Sequence, residues 1–123
     1  MQNQNQAFTL IELLIVVALI GVIVGIAIVQ LAGYTAGSYD ARAKSDLRNA
    51  ANAEEAYFVQ SSEYVACANV AQCETRLPQF SASSGTNMAI SLLGTTGFVG
   101  TASNDRGTNG LVYTWNSVQG GMQ

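Results

Sequence analysis

At 123 residues the chain has room for one domain plus an anchoring segment. It contains no histidine, which removes the commonest general base and the commonest metal ligand. A net charge of −3 with five basic residues leaves no electrostatic footprint for nucleic acid. Hydrophobic residues make up 49% of the chain, and much of that is gathered in the first quarter.

The polar start, Met1 to Gln6, has no Lys or Arg and no structural signal. An apolar run then extends from Phe8 to Val29 and is interrupted by a single charge, Glu12. Taken as helix the run is about 33 Å long, enough for a hydrocarbon core of roughly 30 Å. A charge at the centre of such a helix costs on the order of 3 kcal/mol, and less near an end, where Glu12 sits. A lone acid there calls for a partner, and the sequence offers two. Thr9 and Glu12 have the spacing of a capping box before an apolar run. A cut between Ala7 and Phe8 would instead place a new α-amino group four residues before Glu12, on the same helical face. The two readings do not exclude each other. An ordinary secretory signal would have a basic start and a shorter core, and Leu31-Ala32-Gly33 is a poor cleavage site.

From Gln30 to Gln60 there is no proline, and the pattern turns amphipathic. Ala36, Tyr39, Ala43, Leu47, Ala50, Tyr57 and Phe58 recur mostly at three- and four-residue steps, which predicts a buried stripe on one long helix from about Phe8 to Gln60. Asp40 with Lys44, and Arg42 with Asp46, read as i,i+4 pairs on its exposed side. Glu54 and Glu55 read as solvated. Ser61-Ser62 ends the helical pattern.

A loop is expected from Glu63 to Gln79, holding the only proline, Pro78, and both cysteines. An even cysteine count beyond the apolar segment suggests one disulfide, Cys67 to Cys73. Two thiols without histidine fall short of a standard metal ligand set, and the CxxC spacing of redox motifs is absent. The last third reads as strands, Met88 to Leu93 and Phe98 to Ala102, then a turn cluster from Asn104 to Gly110. Leu111 to Asn116 alternates, with Leu111, Tyr113 and Trp115 expected to face the helix stripe. The predicted fold is therefore α+β, a long N-terminal helix packed on a small antiparallel sheet. No catalytic constellation is visible, since the serines have no histidine partner, and neither a cofactor nor a metal is expected.

The stretch Ala-Phe-Thr-Leu-Ile-Glu-Leu-Leu-Ile-Val-Val-Ala-Leu-Ile-Gly, residues 7–21, resembles the N-terminal signature of type IV pilins and pseudopilins, and the resemblance extends over residues 7–28. It implies a leader, residues 1–7, cut between Ala7 and Phe8 by a prepilin peptidase that also N-methylates Phe8. It implies a transmembrane and assembly helix, 8–32, and a head, 33–123, made of helix 33–60, loop 61–86 and sheet 87–118. Glu12 would pair with the Phe8 amine of a neighbouring subunit. The partners implied are identical or related pilin subunits, the inner membrane, the prepilin peptidase and the pilus assembly machinery. The chain would be single-pass in the inner membrane before assembly and then part of an extracellular surface filament. The implied function is structural, not enzymatic, with a pseudopilin or minor pilin of a secretion or DNA-uptake machine as the alternative. A membrane-anchored binding domain that never polymerises would need neither Glu12 nor a cleavable leader.

Several residues depart from the family pattern. Ala7 stands where Gly is usual, the leader lacks basic residues, and Val29 stands where many members have Pro. No proline kink is inherited at that point. Many major pilins place their disulfide near the C-terminus, unlike Cys67 and Cys73. Arg42, Lys44 and Arg48 follow the apolar segment, where the positive-inside rule would put the cytoplasm, so the orientation rests on the resemblance. Tyr34, Tyr39, Tyr57, Phe58 and Tyr64 lie along the long helix and just beyond it, in the manner proposed to carry electrons in some short pilins. Packing is the plainer reading of these rings.

Overall fold

The computed structural model describes residues 7–123, so all of the expected leader except Ala7 lies outside the described residues. Two compact units are present among the described residues, with the boundary between Tyr34 and Thr35. One helix, α1 (Leu10–Ser61), contributes to both. Its uninterrupted length follows from the absence of proline before Pro78. It ends at Ser62, which adopts the left-handed conformation (φ 59°) and donates its N–H to the Phe58 carbonyl at 2.7 Å.

In the second unit a meander of four antiparallel strands follows, β1 (Thr86–Leu92), β2 (Phe98–Asn104), β3 (Tyr113–Asn116) and β4 (Gly121–Met122), in the order β1-β2-β3-β4. Period-two alternation buries Thr86, Met88 and Ile90 of β1 and Phe98, Gly100, Ala102 and Asn104 of β2. That face joins Ala43, Leu47, Ala50 and Ala51 of α1 in one core. Gly100, paired with Ile90, makes close approach possible: a Cβ there would stand 2.8 Å from Leu47 Cδ1. The α+β architecture expected from the sequence is the one observed.

Four differences have physical causes. The stretch expected to be loop contains a short helix, α2 (Val70–Arg76). Asn69 caps it by accepting the Gln72 N–H at 2.9 Å, and the Cys67–Cys73 disulfide fastens it beside the isolated bridge between Cys67 and Ile90. Leu111 precedes β3 and is exposed, so only Tyr113 and Trp115 pack against the core from that segment. Strand β4, with two residues of which one is Gly121, is too short to leave an alternating sequence pattern.

The fourth difference concerns the acids of α1. Asp40 and Asp46 are buried rather than paired on the surface, and Glu54 is buried rather than solvated. Asp46 accepts from Ser83 N–H (2.9 Å), Ser83 Oγ (3.0 Å) and Thr86 Oγ1 (2.7 Å). Asp40 accepts from Thr108 N–H (3.0 Å) and Thr108 Oγ1 (2.6 Å). Gly107 lies directly against the Asp40 carboxylate, where a side chain would collide with it. Glu54 Oε2 accepts the Val65 N–H at 3.0 Å. An exposed i,i+4 pair is worth only a few tenths of a kcal/mol, whereas a carboxylate accepting N–H and O–H groups of an ordered loop makes stronger, charge-assisted bonds. Each acid therefore ties one loop of the head to the helix.

Glu54 makes only half of its bonds, for its Oε1 is buried without a partner. Burial pushes the Glu54 carboxyl above its ordinary value; the Val65 N–H opposes this and neighbouring Glu55 adds to it. A folded-state value above the unfolded one means that the native head holds a proton the unfolded chain has released. Stability should fall as pH rises from the ordinary carboxylate value through the raised one, then level off. Glu54→Gln keeps an acceptor for Val65 and removes the charge. We expect it to be about 1 kcal/mol more stable than the parent at pH 8, with the difference closing near pH 4, in thermal melts of the full chain in detergent.

Candidate assembly site

The N-terminal end of α1 is built around Thr9 and Glu12. Glu12 Oε2 accepts the Thr9 N–H at 2.9 Å and the Thr9 hydroxyl at 3.0 Å, while the Glu12 N–H points back to Thr9 Oγ1 at 3.3 Å. This is a reciprocal capping box: two donors at the start of a helix, where intrahelical acceptors are missing, are satisfied by side chains. Among the described residues both side-chain bonds of Glu12 converge on one carboxylate oxygen. Ala7 and Phe8 precede the helix, and Phe8 is 90% exposed.

Beyond this cap the first unit presents apolar side chains all round. Every large hydrophobic residue from Leu10 to Leu31 is at least 47% exposed. The helix is long and apolar enough to cross a membrane, with a mean hydropathy of 3.0 over its most apolar window. A surface of this kind is stable only in lipid or against other apolar helices. Gly21 and Gly25 lie within it, and among the described residues nothing lies within 4 Å of the positions their Cβ atoms would take.

The aromatic residues separate into groups. Phe58 stacks on Tyr64 at 4.5 Å between centroids, and Tyr64 meets Phe98 at 5.1 Å. The Tyr64 hydroxyl donates to the Glu55 carboxylate at 3.2 Å. Phe98 completes this cluster and carried no helical spacing that would have joined it to the others in the sequence. Tyr57 packs against the core. Tyr39 is set apart, with the Arg42 and Arg106 guanidinium carbons at 5.1 and 5.6 Å from its ring centroid. Arg106 also donates to the Tyr39 hydroxyl at 3.4 Å and holds that phenol below its usual range. These contacts account for Tyr39, Tyr57, Phe58 and Tyr64 as packing within the head, whereas Tyr34 is 76% exposed. Among the described residues no group of three or more His, Cys, Asp or Glu side chains is placed to hold a metal ion.

Residues 2–28 match the family described as the prokaryotic N-terminal methylation motif. The chain is 39% identical over 66 residues to the type IV major pilin protein PilA of Myxococcus xanthus, an alignment covering 54% of this chain and 30% of that protein. It is 42% identical over 64 residues to a fimbrial protein of Pseudomonas aeruginosa, covering 52% of this chain and 42% of the relative. The chain thus spans less than half the length of these relatives. The motif is confined to the start of the chain, and the named relatives, a type IV major pilin and a fimbrial protein, match about half of it.

Proposed function

We propose that this chain is a structural subunit of a type IV pilus-like filament, not an enzyme. The observation that carries the reading is the apolar half of α1, exposed all round, with one acid, Glu12, at its start. The names of the relatives favour a pilus subunit over a pseudopilin. On this reading a prepilin peptidase cuts between Ala7 and Phe8 and methylates the Phe8 amine, with residues 8–32 holding the subunit in the inner membrane. The assembly machinery then moves the helix from lipid into a bundle of identical or related helices.

The physical logic is one of exchange. Lipid tails and leucine side chains are equally apolar, so leaving the bilayer for a helix bundle gains little from the hydrophobic effect and relies on packing. A carboxylate is different, because it must be paired in a medium without water. The capping box gives Glu12 a local partner in Thr9, and the Phe8 amine of the next subunit would give it a charged one. That pair sets axial register in an otherwise featureless apolar surface.

The test is the intact mass of the protein in filaments sheared from cells. We expect a chain beginning at Phe8, carrying one additional methyl group and lacking two hydrogens at Cys67 and Cys73. Protein found only in membranes and still carrying Met1 would reduce α1 to a plain anchor and overturn the filament reading.

A further inference from the structure

The basic residues near the beginning of the head were left unexplained by the filament reading, and their surroundings are specific. Arg42 and Lys44 are exposed on α1, and the turn after β2 brings in exposed Arg106. None of these three meets a carboxylate among the described residues. Arg42 and Arg106 flank the Tyr39 ring, and the Lys44 ammonium lies 5.7 Å from the centroid of Tyr113. The acids that alternate with them along α1, Asp40 and Asp46, are only 5% and 4% exposed and point into the head, bound to Thr108 and to Ser83 and Thr86. Asp105, beside Arg106, is hydrogen-bonded to Asn87. Along this stretch of α1, then, Asp40 and Asp46 face inward on the loops, while Arg42 and Lys44 face outward with Arg106.

We propose that Arg42, Lys44 and Arg106 form a docking surface for the anionic phosphate headgroups of the bilayer that holds the unassembled subunit. Tyr39, the centre of the cluster, is seven residues past Ala32 on α1, about two helical turns. Side chains on a helix lean toward its N-terminus, and Arg42 reaches back over the Tyr39 ring in that sense. Arg42 and Lys44 lie ten and twelve residues past Ala32, about 15 and 18 Å of helical rise, so docking on a headgroup layer of roughly 5–8 Å requires α1 to tilt in the bilayer. Guanidinium groups bind phosphate oxygens in bidentate fashion, and Tyr34 and Tyr39 are of the amphipathic type that gathers at membrane interfaces. This also gives the cations that follow the apolar segment a role on the outer side. Docking would restrain the head against the membrane until extraction. The proposal rests on residues 8–32 being inserted in a bilayer, as the proposed function requires.

The test uses the full chain reconstituted in lipid nanodiscs, with the side-chain N–H resonances of Arg42 and Arg106 followed by NMR. In discs containing phosphatidylglycerol we expect shifts that are absent in phosphatidylcholine discs, that collapse in 0.5 M salt as screening shortens to about 4 Å, and that weaken in K44Q, which keeps both reporting guanidinium groups. Equal spectra in the two lipids would overturn the proposal. So would the same shifts produced by millimolar inorganic phosphate in phosphatidylcholine discs, which would mark a soluble-anion site. Shifts that follow the number of subunits per disc rather than the lipid charge would assign the surface to a second copy of the chain and overturn it too. Failure of the chain to co-float with either lipid would remove the anchored state itself, and with it both the docking and the membrane stage of the proposed function.

Discussion

Asp46→Ala should lower the melting temperature of the head by about 15 °C, the largest effect expected of any single polar substitution in this unit. Asp46 is 4% exposed and accepts three hydrogen bonds, two from Ser83 and one from Thr86. Removing the carboxylate strands one backbone N–H and two hydroxyl groups where the loop before β1 meets α1. Each bond to a charged acceptor contributes about 1.5–3 kcal/mol, and the donors share one partner, so their losses will not simply add; about 3 kcal/mol in total is a fair expectation. For a unit of fewer than 100 residues each kcal/mol corresponds to roughly 4–8 °C. Asp46→Asn, which keeps one acceptor oxygen, should recover about half of the loss. Near-UV circular dichroism at Trp115, recorded on the full chain in detergent, reads the head and not the apolar half of α1. A change of under 3 °C for Asp46→Ala would mean that the loop is held by its backbone contacts alone.

Asp46 also shows where the sequence stops being legible. The apolar stripe Ala43, Leu47, Ala50 was readable because hydrophobic periodicity reports directly on burial. The same periodicity says nothing of acids. Asp40, Asp46 and Glu54 lie among the stripe residues, yet as charges they suggest solvent, and an i,i+4 cation supplies an easy false partner. Their true partners are backbone N–H groups 11 to 68 residues away in the chain. Only the fold creates those needs. Helix α2 was hidden for a related reason: seven residues are too few for a periodic signal, and the disulfide and the Asn69 cap hold it rather than propensity. The strands β1 and β2 were legible because alternation and turn chemistry agree there. At the N-terminus the capping box needed only local spacing, so Thr9 and Glu12 were found in the arrangement the sequence suggested.

That arrangement makes Glu12 the residue on which the filament reading turns, and two substitutions separate its two roles. Glu12→Ala should leave membrane insertion intact, since it removes a charge from an apolar segment, and should leave the melt of the head unchanged. It deletes the acceptor for the Thr9 N–H and hydroxyl, a loss of about 1 kcal/mol confined to the first turn. Filaments built from it as sole subunit should nevertheless be absent, because the Phe8 amine of each incoming helix would enter an apolar bundle with no counter-charge. Glu12→Gln is the sharper probe. Glutamine serves a capping box as well as glutamate does, so the local structure with Thr9 is retained while the charge is lost. If charge pairing sets register, this variant should fail to assemble as completely as Glu12→Ala, with both proteins processed at Ala7–Phe8 and stable in the membrane. Normal surface filaments from Glu12→Gln would leave helix capping as the whole role of Glu12, and register would have to come from packing around Gly21 and Gly25.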